Sequence, residues 1–94
     1  MPGVVRLGDR CSGHDCFPPR PCISASPNVF TNGKGTHRVG DSWAKHCCGK
    51  HCHTGIAVNG SSTVLVNGKG VFRQGDLINC GSKGNECSPN VIAN

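Results

Sequence analysis

Apolar residues in this chain come in short β-prone runs, each cut off by a turn signal. Residues 28–31 and 63–66 run straight into Asn32-Gly33 and Asn67-Gly68. Asn-Gly suits a two-residue hairpin turn because both central positions need positive φ. Second strands are predicted over 36–39, 71–74 and 4–7. Each ends in a Gly-Asp, where Gly tolerates unusual φ and the carboxylate can accept backbone N–H bonds. No apolar pattern is sustained at a period of 3.6, so helix amounts to a turn or so at most.

The runs belong to a repeat. SPNVFTNGKGTHRVGD (26–41) returns as SSTVLVNGKGVFRQGD (61–76), with Asn-Gly-Lys-Gly, an Arg and the closing Gly-Asp intact. SPNVIAN (88–94) matches 26–32, and MPGVVRLGD (1–9) continues in step with 33–41. The copy that breaks off at Asn94 is resumed at Met1. A three-repeat unit has been opened inside one repeat, and the simplest completion brings the termini together as neighbouring strands. Repeats of this length are supersecondary units that cannot bury a core alone. Alternation along the strands makes Phe30, Leu65 and Ile92 equivalent, and sets Val29, Val64 and Val91 with Thr31, Val66 and Ala93 on the opposite face. His37, Phe72 and Val5 form another set, and Val39, Gln74 and Leu7 a further one. A pseudo-threefold arrangement would gather each set into a ring, and three hairpins around one axis could bury such rings.

Composition sharpens this picture. The chain has 94 residues, 35% hydrophobic and 4% aromatic, with no Tyr and one Trp. That suits one small domain with a lean core, which needs a metal, disulfides or a partner to hold it. Eight Cys and five His supply the means. The net charge of +5 comes from scattered basic residues, so it reads as a solvated basic surface rather than a nucleic-acid footprint. The absence of a signal-peptide h-region or a long apolar run leads us to expect a soluble chain without a cleaved leader, which weighs against an all-disulfide framework.

Loops are expected over 10–25, 42–60 and 77–87, and they hold all the Cys and every His but His37. Residues 18–21, PPRP, read as a rigid extended segment. Each loop follows a Gly-Asp. His14 lies five residues after Asp9, His46 five after Asp41, and Cys80 four after Asp76. In a threefold arrangement these side chains converge on the axis. A tetrahedral Zn²⁺ wants a fourth N or S ligand, and the richest loop, HCCGKHCH, offers His53, with His51, Cys47, Cys48 and Cys52 as competitors. His53 is preferred because His-Thr-Gly leads straight into the next strand. Zn²⁺ fits this ligand type better than Fe²⁺ or Cu, and four protein ligands make a closed, structural site with no catalytic residue. The other cysteines read as buried thiols, as disulfides formed on exposure, or as a second metal site. His37 is expected to be a strand residue and Trp43 a packing anchor beside the His46 loop.

The residues just described resemble the PAAR-repeat proteins, the tips of type VI secretion spikes and contractile phage tails. The likeness spans essentially the whole chain. It is carried by MPGVVRLGD, GHDCFPPRP, SPNVFTNGKGTHRVGDSWAKHCC, CHTG, NGKGVFRQGD followed by Cys80, and SPNVIAN. The Pro-Ala-Ala-Arg segment of the family is degenerate here, but Arg38, Arg73 and Arg6 keep its last position.

The resemblance implies an all-β cone of three hairpins, the third completed by the two chain ends. It implies one structural Zn²⁺ near the point, held by His14, His46, His53 and Cys80. Such tips are often fused to effector toxins; here we expect a single PAAR domain over residues 1–94, with no fused effector. One chain would cap one trimeric β-helical spike (VgrG-like, or the central spike of a phage), carry effectors non-covalently and touch the target membrane transiently. Such a tip is assembled in the bacterial cytoplasm and ejected into the target envelope, or sits at the tail tip of a phage virion. A zinc-dependent module binding nucleic acid or protein is the alternative; the tip reading expects no nucleic acid. A zinc hydrolase would need an open coordination position and a base, for which only Asp15 is a candidate.

Overall fold

The computed structural model describes residues 2–94. Its long dimension is 38 Å against 24 and 22 Å across. Six strands form three antiparallel hairpins: β1 (Phe30–Thr31) with β2 (Lys34–Gly35), β3 (Ser42–Cys48) with β4 (His51–Ile56), and β5 (Leu65–Val66) with β6 (Lys69–Gly70). No helix occurs among the described residues. The β1–β2 and β5–β6 turns are the expected Asn-Gly pairs, with φ of 53° and 78° at Asn32-Gly33 and 55° and 78° at Asn67-Gly68.

The two chain ends supply the matching third hairpin. Gly3 pairs with Ile92 as Gly35 does with Phe30 and Gly70 with Leu65. Ala93 N–H donates to the Pro2 carbonyl at 3.1 Å.

The segments expected as second strands, 36–39, 71–74 and 4–7, carry only isolated bridges, because the regular pairing ends at Gly35 and Gly70; beyond it the three segments close on one another. Val5 N–H donates to the Phe72 carbonyl, Phe72 N–H to that of His37, and His37 N–H to that of Val5, each at 3.0 Å. A parallel ring follows, in which Leu7 donates to Gly35 at 2.8 Å, Val39 to Gly70 at 2.9 Å and Gln74 to Gly3 at 2.9 Å. Three extended segments closed in a triangle leave no inner edge unpaired.

Each side of the triangle ends in the same device. The Asp9, Asp41 and Asp76 carboxylates accept the backbone N–H and guanidinium of Arg6, Arg38 and Arg73. The intervening Gly8, Gly40 and Gly75 sit at φ near +91°, a conformation that excludes ordinary side chains. Ser26, Ser61 and Ser88 repeat another motif, each hydroxyl accepting the N–H two and three residues on.

The ring of Val5, His37 and Phe72 is fully buried. Trp43 lies on it, its ring centroid 5.0 Å from His37 and 5.7 Å from Phe72, both edge-on. Ile78, Ala57, Cys11 and Cys22 complete this core, and Val4, Val66, Val71 and Ala93 form a second, smaller one.

Three expectations need correction. Residues 42–60 are not a loop, because 42–56 holds the longest hairpin, β3–β4. Strand alternation was masked there because Cys, His and Lys residues leave few apolar positions for a pattern to show. The ring of Phe30, Leu65 and Ile92 is not buried; these side chains are 61%, 58% and 54% exposed, and Thr31, Val66 and Ala93 turn inward instead. Trp43 is the expected packing anchor, at the centre of the core, but it lies on strand β3 rather than beside a loop.

Candidate metal centre

The β3–β4 hairpin extends the triangle along one side and sets His46 directly opposite His53. Their Nε2 atoms lie 2.7 Å apart, and His14 Nε2 lies 3.0 Å from that of His53. Cys80 completes the group, and the ligand atoms of His14, His46, His53 and Cys80 all lie within 4.8 Å of one another.

Local structure places each of them. His14 sits in a tight turn in which His14 and Phe17 exchange backbone hydrogen bonds of 3.1 and 2.8 Å, with Asp15 at φ 51°. Gly13 lets this turn close, because a Cβ there would meet the Phe17 carbonyl. Cys80 lies in the turn that brings Ile78 N–H onto the Ser82 carbonyl and Gly81 N–H onto that of Ile78. The Pro-rich segment runs between them, and Pro21 accepts from Ala44 N–H of β3.

His46 is buried, and its Nδ1 lies 2.9 Å from the Pro18 carbonyl. A carbonyl can only accept, so Nδ1 carries the proton and the Nε2 lone pair of the neutral ring faces the cluster. Burial pushes His46 below its ordinary pKa, as do the Arg20 guanidinium and the other two imidazoles, against the pull of Pro18. Burial, His14 and Arg20 also lower His53. Three imidazole nitrogens turned toward one point cannot all be satisfied by a single shared proton. Nitrogens around a tetrahedral ion of this kind sit roughly 3.3 Å apart, given metal–nitrogen bonds of about 2.0–2.1 Å. The four side chains could therefore hold a metal ion, and neutral His with a thiolate is the form that binding requires.

The competitors for the fourth position lie elsewhere. His51 is exposed beside the β3–β4 turn, opposite Cys48. Cys47 and Cys52 are joined by a disulfide across that hairpin, and Cys48 is joined to Cys16. Cys11, Cys22, Cys80 and Cys87 are free. Burial raises the Cys22 thiol to about 12, which suits a packing residue. Asp15 lies 3.6 Å from Nδ1 of His14 with its side chain 89% exposed. It approaches the edge of the imidazole that faces away from the cluster.

Two contributors were not foreseen. Phe17 stacks over the cluster, its ring centroid 4.7 Å from His14, 4.9 Å from His46 and 4.3 Å from His53. Arg20 donates to Cys80 Sγ at 3.4 Å. In a chain with three Phe and one Trp, an aromatic three residues after a candidate ligand was a usable signal for Phe17; an Arg between two Pro carried none.

Thus the cluster closes a pseudo-threefold β fold at the end bearing the long hairpin. No curated protein matches the chain. A family model for the PAAR motif matches residues 12–83, well over half of the sequence, and the chain belongs to that family.

Proposed function

We propose that this protein is the tip of a spike, built to cap a trimeric β-helical shaft and sharpen it. The observation that carries this reading is the apolar base. Phe30, Leu65 and Ile92 are 61%, 58% and 54% exposed, and Val29, Val64 and Val91 are 38%, 38% and 39% exposed. Equivalent positions of three repeats thus present near-identical apolar surface around one axis. Exposed apolar groups arranged in this way mark an interaction site. Their symmetry matches a partner with three identical ends rather than a monomer. The end of a trimeric β-helix carries three unpaired strand edges, which are prone to aggregate, and one chain with three matching edges covers them at once.

The metal reading completes the design. His14, His46, His53 and Cys80 would hold one Zn²⁺, since three imidazoles and a thiolate suit its tetrahedral preference. With all four positions filled by protein the ion acts as a brace, and the protein's role is mechanical rather than enzymatic. The tip would be assembled with its spike in the bacterial cytoplasm and driven into the target envelope, or serve at a phage tail, with any effector bound non-covalently.

The test is native mass spectrometry of the chain with a trimeric β-helical spike protein. We expect one tip per trimer. The triple variant Phe30→Glu, Leu65→Glu, Ile92→Glu should weaken binding at least about 100-fold while leaving metal content intact; each lost anchor is worth about 1.5–3 kcal/mol of buried apolar surface. Unchanged binding by that variant, or a stable free homotrimer of the wild type, would sink the reading.

A further inference from the structure

Arg20 is 4% exposed, and no carboxylate lies within ion-pair distance of it among the described residues. Burying a cation without an anion costs several kcal/mol, so its surroundings should supply negative charge. The guanidinium has three kinds of contact. Nε donates to the Ala44 carbonyl at 2.6 Å, one terminal nitrogen to Cys11 Sγ at 3.1 Å, and the other to Cys80 Sγ at 3.4 Å. The Trp43 ring lies 5.6 Å from its carbon. Ala44, Cys11 and Trp43 fix the plane of the guanidinium and thereby aim the last nitrogen at Cys80. The fold also reserves the space: a Cβ on Gly55 would collide with that nitrogen and with Ile78.

We infer that Arg20 is a positioning residue of the metal centre, holding the Cys80 sulfur by a charge-assisted N–H···S bond. This rests on the metal-site reading above. When Cys80 binds an ion as a thiolate, its negative charge is what the buried guanidinium lacks, and the ligand and the arginine satisfy each other. Arginine suits this place because its rigid fork meets three acceptors at once, which an ammonium cannot do at fixed positions. Partners of this kind typically govern metal affinity by about 10–100-fold.

The test uses the full chain loaded with Co²⁺, whose thiolate-to-metal charge-transfer band reports on the sulfur. A donor on the thiolate lowers its electron-pair energy and moves the band to higher energy. In Arg20→Met we expect the band to move to lower energy, and Co²⁺ to be lost to a chelator about 10–100-fold faster. Arg20→Lys should recover part of both effects.

If Arg20→Met does not fold, Gly55→Ala displaces the same nitrogen with its charge retained and should also shift the band. A band and release rate unchanged in a folded Arg20→Met, or an unchanged band in Gly55→Ala, would overturn the inference alone. A wild-type chain that takes up Co²⁺ without a thiolate band, or takes up none, would overturn the site reading and this inference with it.

Discussion

Gly3 and Ile92, from opposite ends of the chain, form the same antiparallel pair that Gly35 makes with Phe30 and Gly70 with Leu65. The third side of the molecule therefore holds by hydrogen bonds and packing rather than by a covalent turn. Deleting residues 88–94 removes the backbone bonds Val4 to Val91, Ser88 to Val4 and Ala93 to Pro2, and takes Ala93 from the smaller core. At about 1 kcal/mol per net hydrogen bond, with the lost packing added, we expect a loss of about 3–5 kcal/mol in urea unfolding. A midpoint equal to that of the full chain would show that the terminal hairpin adds nothing to the closed triangle.

The proposed ligand set makes a selective prediction. Cys80→Ser and His46→Ala should each lower metal content per chain, measured by elemental mass spectrometry, and lower the melting temperature with it. His51→Ala should change neither, because His51 is exposed and outside the cluster. Metal loss in His51→Ala with retention in His46→Ala would reverse the assignment.

The two disulfides differ in what they close. Cys16–Cys48 spans 32 residues and ties the His14 turn to β3, whereas Cys47–Cys52 spans 5 within one hairpin. In the loop-entropy account the first is worth roughly 3.7 kcal/mol and the second roughly 2. Cys16→Ser paired with Cys48→Ser should therefore destabilise more than Cys47→Ser paired with Cys52→Ser, by about 1–2 kcal/mol in denaturant titration. The denatured, chelated protein should show the thiols of Cys11, Cys22, Cys80 and Cys87, and a thiol count equal to the full cysteine content would contradict both bonds.

His37 makes the core sensitive to acid. Its ring is fully buried, its Nδ1 lies 2.9 Å from the Ser24 carbonyl, and Nε2 has no partner. Burial lowers its pKa, opposed by the Ser24 carbonyl and the Asp41 carboxylate. The unfolded chain then binds a proton near the ordinary value of about 6.5, and the folded chain only at lower pH. Stability from this group is complete above about pH 6.5 and is lost as pH falls toward the folded-state value, at up to about 1.4 kcal/mol per pH unit. His37→Phe, matching its counterpart Phe72, removes this dependence. Unfolding midpoints of wild type and variant should diverge between about pH 6.5 and 5, the wild type falling faster. Parallel profiles would show that His37 titrates alike in the folded and unfolded chain.

Much of the fold was legible because the repeats state it more than once. Asn32-Gly33 and Asn67-Gly68 announce hairpins through their need for positive φ, and the phase match of 88–94 with 1–9 announces that the ends meet. The register of His14, His46 and Cys80 after the Gly-Asp turns pointed to convergence, since a closed triangle carries equivalent positions to one axis. These are local or symmetric facts, and spacing encodes them.

What only the tertiary structure decided concerns sides and partners. Which of His51 and His53 joins the cluster depends on the β3–β4 register, which a turn at Gly49-Lys50 sets and no repeat copies. The pairing of Cys16 with Cys48 depends on two loops meeting in space. Whether Phe30 or Thr31 faces inward depends on the direction in which the hairpins curl around the axis, because alternation assigns opposite faces without naming the buried one. Arg20 shows the limit most clearly. Its value lies in the approach of Ala44, Cys11 and Cys80 from separate segments, and a sequence read along one dimension carries no record of which distant groups will surround a buried charge.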